Sequence, residues 1–242
     1  MQNRIKALLL AAGYGTRLRP ITDQIPKCLI EIGGITMLER WLKSLEEVAC
    51  NEAVINTHYL AREVDIFLEK TRTYPFKIHK IHEPDLQGTA GTLIANRNLL
   101  SGSTVIMAHV DNVTDMDLGW LMKQHRSRPD HCVLTMATFE TDTPESCGIV
   151  ECDKNGVVLQ FHEKSKENHG NKANGAVYIF EDTLIDKISS LGSVVTDFSQ
   201  DVLPNLIGKI YTAHWSGPFI DMGTPENLER ARQIWPSPIQ LT

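Results

Sequence analysis

The sequence predicts an α/β fold in which helices flank a central sheet, and three observations carry that expectation. Apolar runs of strand length alternate with helical patterns through the first half of the chain. Shorter runs separated by hairpin signals fill the second half. The first apolar run opens directly into a glycine-bearing loop followed by fixed cations, an arrangement suited to holding a phosphate chain.

Residues 1–3 lead into that first strand, Lys6–Ala11, and the loop reads Ala12-Gly13-Tyr14-Gly15-Thr16-Arg17-Leu18-Arg19-Pro20, with Ile25-Pro26-Lys27 close behind. A P-loop is excluded because no Gly-Lys-Ser/Thr ending follows at the required spacing. A dinucleotide fingerprint is excluded because Leu18 stands where its third small residue belongs. Next, Thr36 and Glu39 form a capping-box pattern, and Met37, Leu38, Trp41, Leu42, Leu45 and Val48 fall on one face of the helix they open. Strands are expected at Glu52–Asn56, Lys77–Ile81, Thr104–Ala108 and Cys132–Thr138, with helices over Arg62–Lys70 and Leu118–Arg126. Ile149–Cys152 and Val157–His162 flank Asp153-Lys154-Asn155-Gly156, whose Asn-Gly step is a hairpin signal. Strands Ala176–Phe180, Lys209–His214 and Phe219–Met222 follow, with a helix near Asp197–Ile207. Thr224-Pro225, an N-cap followed by proline, starts the last helix.

The chain's 242 residues suffice for one large domain, and its composition is that of a globular protein: 42% hydrophobic, 22% charged and 7% aromatic. A formal net charge of −6 argues against broad binding to nucleic acid or anionic membrane, so any nucleotide partner is a free small molecule. No apolar stretch reaches signal-peptide or membrane-spanning length, which points to the cytoplasm. Cys28, Cys50, Cys132, Cys147 and Cys152 are odd in number and contain no C-x-x-C pair, the usage of reduced thiols serving as small apolar fillers.

The loop residues Leu10, Gly13, Gly15, Thr16, Arg17, Leu18, Pro20, Thr22, Pro26, Lys27 and Leu29 follow the pattern L-x-x-G-x-G-T-R-L-x-P-x-T-x-x-x-P-K-x-L. Here the chain resembles the sugar-1-phosphate nucleotidylyltransferases, most closely in style the short mannose- and heptose-1-phosphate guanylyltransferases. It departs from many members at Cys28 and Glu31, where prolines are usual. The resemblance implies a Rossmann-like, mixed, mostly parallel sheet with a small sugar-binding β region. It also implies a single domain: a nucleotide-binding core over about 1–139, a sugar-phosphate region over about 140–220, and a metal aspartate with a C-terminal helix over 221–242. About 20 residues follow Asp221, too few for the C-terminal β-helix that many members carry.

The implied reaction joins a nucleoside triphosphate to a sugar 1-phosphate and releases pyrophosphate. GTP with mannose or heptose 1-phosphate is the leading expectation, and UTP or dTTP with another sugar is the alternative. Catalysis is assigned to Arg17, Lys27 and Asp111, because phosphoryl-type transfer rests on positioning and charge neutralisation. Asp111 and Asp221 are expected to hold Mg²⁺ as hard oxygen ligands, Asp221 within an Asp-Met-Gly-Thr-Pro-Glu match to the family's D-x-G-T-P-E. Asp115 and Asp117 are rivals whose other roles are loop solvation and helix capping. Ala11, Ala12, Gly13, Gly15, Thr16, Glu83, Gly88 and Thr89 are expected around the nucleotide, with Glu83 facing a guanine edge. Gly148, Glu163, Lys164 and Asn174 are expected around the sugar phosphate, although Ala176 replaces a usual glycine and Ser165 a usual proline. His58, which follows a strand, and Asn56, at that strand's end, are candidates to line the pocket. A homo-oligomer is compatible with all of this. Two other classes remain open: a catalytically silent nucleotide-sugar-binding regulatory subunit, and a glycosyltransferase using Asp115-Met116-Asp117.

Overall fold

A computed structural model describes residues 4–191 and 195–237; residues 1–3, read above as leading into the first strand, lie outside that range. The strands are β1 (Arg4–Leu10), β2 (Glu31–Ile32), β3 (Ile35–Thr36), β4 (Glu52–Thr57), β5 (Lys77–His82), β6 (Ser103–His109), β7 (Asn112–Thr114), β8 (Leu134–Glu140), β9 (Gly148–Cys152), β10 (Val158–Glu163), β11 (Lys172–Glu181), β12 (Ile210–His214) and β13 (Phe219–Asp221). The helices are α1 (Met37–Glu47), α2 (Ala61–Lys70), α3 (Gly88–Ala95), α4 (Arg97–Leu100), α5 (Leu118–Arg126), α6 (Thr183–Ser189) and α7 (Pro225–Ile234).

Four neighbouring strands, β5-β4-β1-β6, run parallel, with Leu8 opposite both Val54 and Met107. Antiparallel pairing begins where β11 joins β6 and continues through β8 and the β9–β10 hairpin. The mixed sheet flanked by helices is therefore as the sequence predicts. Because β1 is covered on both sides, Ala7, Leu8 and Leu9 are all fully buried. On one face Leu9, Ile55 and Ile106 pack with α1; on the other Leu8, Val54 and Met107 pack with Ala90 and Leu93 of α3 and with Phe198.

Helix α1 buries the apolar face that its periodicity predicts. Thr36 caps it by accepting from the Glu39 N–H at 3.1 Å, while the Glu39 carboxylate turns along the helix to Lys43 at 2.8 Å, so the Thr36 half of the capping box is the half observed. Thr224 and Asp117 cap α7 and α5 in the same way. The Asn-Gly hairpin forms between β9 and β10, but Val157 leaves the ladder to bridge Tyr211.

Elements without a strong pattern were not anticipated. Helix α3, rich in alanine and glycine, has no polar stripe, because its sides pack against the sheet and against the segment around Phe198. That segment is a π-turn, Phe198–Val202, running into a 3₁₀ turn, Leu203–Leu206, where a single helix was expected. Strand β11 is twice as long as predicted and bulges between Asn174 and Tyr178, placing Ala176 at φ 50°. This is the position where glycine is usual, and the left-handed backbone explains that preference.

The start of α3 is closed by the chain itself. The Thr196 carbonyl accepts from Ala90 at 2.8 Å and Gly91 at 3.4 Å, and the Thr89 hydroxyl accepts from the Phe198 N–H at 2.7 Å. Gly88 makes the approach feasible: its φ is +76°, and a Cβ there would stand 2.4 Å from the Thr196 oxygen. Gly88→Ala is expected to lower the unfolding free energy by about 1–3 kcal/mol through strain and displaced backbone. Urea unfolding checks this, and a wild-type midpoint would show that the contact is dispensable.

Candidate active site

The carboxyl ends of parallel strands form the natural mouth of an α/β sheet, and the cleft of this chain lies there. Two hollows meet at His109 and Asp111. One, open to solvent and about 580 Å³ in extent, is lined by Leu10, Ala12, Gly13, Asn56, Glu83, Gly88, Thr89 and Thr92 among others. The second, about 860 Å³, carries Arg17, Gly148, Glu163, Lys164, Asn174 and Asp221. The nucleotide-side candidates thus fall mostly in the first hollow and the sugar-side candidates in the second.

Local backbone chemistry fixes the first loop. Gly15 adopts φ +64°, its carbonyl accepts from Leu18 N–H and from the Thr22 hydroxyl, and a Cβ there would strike the Thr22 methyl at 2.8 Å. Gly13 is open to the cleft, with nothing within 4 Å of where a Cβ would be. Thr16 opens a short 3₁₀ turn and is exposed outside both hollows. Ala11 donates its N–H to the Asn56 side chain at 2.8 Å. Asn56 in turn donates to Glu83 at 3.1 Å, Thr92 donates to the same Glu83 oxygen at 2.6 Å, and Gln87 N–H reaches the other oxygen at 3.3 Å. Glu83 is only 1% exposed, so in this conformation its carboxylate ties the loop, the start of α3 and β4 together at the back of the pocket. His58 lies behind the loop rather than in either hollow. Its Nδ1 donates to the Glu83 carbonyl at 2.7 Å and its Nε2 accepts from the Tyr14 hydroxyl at 2.9 Å.

The charged centre is built on two short strands, of which the sequence revealed β13 and not β7. Strand β7 pairs with β13 so that Asn112 faces Asp221, and Met222 N–H donates to the Asp111 carbonyl at 3.0 Å, setting the two aspartates side by side. Lys27 projects from a 3₁₀ turn, Lys27–Leu29, and pairs with Asp111. Burial raises the Asp111 carboxyl, but Lys27 and His109 outweigh it and hold the group below the usual carboxylate range. Asp221 goes the other way, raised by loss of solvent in the cleft and then by the Asp111 charge. Arg17 packs against Gly223, where a Cβ would stand 2.7 Å from its guanidinium. Two carboxylates with oxygens directed into one cleft, one of them charged and the other destabilised by it, match the donor set of a hard divalent ion.

In the second hollow, Gly148 leaves room for its ladder partner Glu163: a Cβ there would meet the Glu163 carboxylate at 2.8 Å. Burial raises the Glu163 carboxyl. Asn174 is held by the bulge, accepting from Ala176 N–H at 2.9 Å and donating to the Tyr178 hydroxyl at 2.7 Å. Lys164, at φ 48°, leaves β10 toward solvent, with its side chain 65% exposed. Sequence reasoning did not select His109, Asp197, Ser199 or Gln200, all of which line this cleft. His109 had one available signal, its place at the end of a strand two residues before Asp111; the others reach the site only through the π-turn.

Asp115 and Asp117 are committed elsewhere. Asp115 accepts from Trp235 Nε1 at 2.7 Å and pairs with Arg40 at 3.4 Å, and Asp117 caps α5. That removes the D-x-D basis of the glycosyltransferase reading. The cysteines are free, and Cys28, buried beneath Lys27, has its thiol pushed up to about 12 by burial. Among the described residues no helix is long and apolar enough to cross a membrane.

Comparison with known proteins shows relatives over most of the chain. The chain is 30% identical over 229 residues to the catalytic subunit beta of mannose-1-phosphate guanylyltransferase from Dictyostelium discoideum, covering 93% of this chain and 62% of that protein. It is 29% identical over 247 residues to a UTP–glucose-1-phosphate uridylyltransferase from Synechocystis, covering 95% and 63%. The chain thus spans about three fifths of the length of these relatives. In fold it superposes on a Bacillus anthracis protein described as a glucose-1-phosphate thymidylyltransferase, with a TM-score of 0.85 at 20% identity over 96% of this chain and 95% of that one. HddC from Yersinia pseudotuberculosis matches with a TM-score of 0.78 at 24% identity, over 95% and 99%. Residues 6–235 match the nucleotidyl transferase family, and the chain belongs to it.

Proposed function

We propose that this chain transfers a nucleotidyl group from a nucleoside triphosphate to a sugar 1-phosphate, releasing pyrophosphate. The observation that carries the reading is the meeting of two hollows at Asp111, which pairs with Lys27 beneath them and shares the second hollow with Arg17 and Asp221. A silent binding subunit has no use for two cations and two carboxylates at that junction.

In the proposed reaction a phosphate oxygen of the sugar 1-phosphate attacks the α-phosphorus, and the bond to the β-phosphate breaks in line. The attacking oxygen is already anionic, so no general base is required, and no side chain becomes covalently attached. Arg17 is placed to grip the departing pyrophosphate through its planar fork. Lys27, leaving its pairing with Asp111, supplies a point charge to the α-phosphate or the incoming phosphate. Asp111 and Asp221 are the residues that would hold Mg²⁺, whose charge would offset that of the phosphates. Ala11, Ala12 and Gly13, with Gly15 shaping the turn that carries Thr16, form the donor wall. Glu83, Gly88 and Thr89 brace the base pocket. Gly148, Glu163, Lys164 and Asn174 form the acceptor wall, with Glu163 and Asn174 bonding hydroxyls and Lys164 the sugar's phosphate. The reading places the protein in the cytoplasm, acting on small molecules.

Guanine is the proposed base and mannose or heptose 1-phosphate the proposed acceptor. Uracil is the second reading, favoured by a uridylyltransferase relative at 29% identity against 30% for the guanylyltransferase. Pyrophosphate release is the deciding measurement, with GTP, UTP, dTTP and ATP each offered with a set of sugar 1-phosphates. Turnover with GTP and mannose or heptose 1-phosphate is expected; turnover with UTP alone would replace guanine, and none at all would sink the activity.

Arg17→Ala is expected to lower kcat/KM by about 10²–10³-fold. Because Arg17 is exposed, its thermal midpoint is expected to move by less than about 2 °C. A collapse in stability instead would make the residue structural. For Asp221→Asn the expected outcome is a higher Mg²⁺ concentration for half-maximal rate; an unchanged magnesium titration would remove Asp221 from the metal site.

A further inference from the structure

The β9–β10 hairpin presents two faces with different chemistry. Successive residues of a strand point to opposite sides, so Glu163 turns into the cleft while His162, one residue earlier, turns away from it. On that far face His162 Nε2 lies 2.9 Å from a Glu151 carboxylate oxygen. A third group arrives from the connection between β10 and β11. The His169 ring stacks on His162 with centroids 3.5 Å apart and planes 4° apart, bringing its Nδ1 to 3.6 Å from the same Glu151 oxygen. The three ligand atoms lie within 4.8 Å of one another. Both imidazoles are 19% exposed in their side chains, so they are sheltered without being sealed from solvent.

Imidazole lone pairs lie in the ring plane, so joint binding of one ion turns the His169 ring out of its parallel stack on His162, from a starting point in which Nδ1 is already 3.6 Å from the Glu151 oxygen. Bonds of about 2.0–2.2 Å from nitrogen and carboxylate oxygen to one ion place such atoms roughly 3–4 Å apart, close to the spacing observed here.

We propose that Glu151, His162 and His169 form a second metal site, specific for a zinc-class divalent ion and separate from the carboxylate pair of the cleft. Two neutral imidazoles and one carboxylate suit Zn²⁺, whereas Mg²⁺ takes oxygen donors and holds its waters. Three protein ligands leave a fourth tetrahedral position for water. The ion clamps the 164–171 connection onto β9 and β10. That connection otherwise relies on short-range contacts such as Gly170 N–H to Asn168 and on Thr141 N–H to the Asn171 carbonyl.

Chelator-stripped full-length chain titrated with Co²⁺, a visible-absorbing stand-in for zinc, tests this directly. One equivalent is expected to produce d–d bands that one equivalent of Zn²⁺ abolishes. The bands are expected to vanish in His169→Ala and Glu151→Gln and to persist in Asp221→Asn, which separates this site from the cleft. Zn²⁺ is also expected to slow proteolysis within 164–171 in the wild type and not in His169→Ala. Absence of bands in the wild type, or their persistence in His169→Ala, would overturn the proposal.

Discussion

Repulsion between Asp111 and Asp221 is the constraint around which the centre of this protein is organised. Nothing in an apolar sheet favours placing two carboxylates side by side, and Asp221, raised by burial and then by the Asp111 charge, bears the conflict while Lys27 and His109 relieve Asp111 of it. The chain resolves it with Lys27 on one aspartate and Arg17 laid over Gly223 beside the other. Much of the first thirty residues, with its succession of tight turns, is scaffolding that brings those two cations across from β1. A polyanionic ligand with a divalent ion would satisfy all four groups together.

The sheet was legible because periodicity survives in strands and helices that face both core and solvent. Helix α1 is the clearest case, with Met37, Leu38, Trp41, Leu42 and Leu45 all buried as the spacing requires. Helix α3 was illegible for the converse reason: an element packed on several sides has no polar stripe. The cleft was legible where a residue type is needed by local chemistry, as at Gly15, Arg17 and Lys27. Strand β7 was not, since three residues carry no pattern, and yet its pairing with β13 sets the aspartates in register.

Several residues reach the cleft by means that a linear reading cannot show. Gln200 and Ser199 come in on a π-turn, and Asn174 is aimed by a bulge that forces Ala176 into a left-handed conformation. Glu83 illustrates a different limit. Its place after β5 suggested a ligand contact, whereas its bonds to Asn56, Thr92 and Gln87 make it a brace between loop and helix. Sequence position announced its importance, and burial decided the kind.

The Gly88–Thr196 contact has an implication for how this scaffold can diversify. Thr89 and Thr92 border the first hollow, while Asp197, Ser199 and Gln200, just beyond Thr196, border the second. The two walls are therefore joined by main-chain bonds, and neither can shift its backbone without dragging the other. New ligand preferences have to arise by swapping side chains on a common frame, Leu86 on one side and Gln200 on the other, while the seam between them stays unaltered.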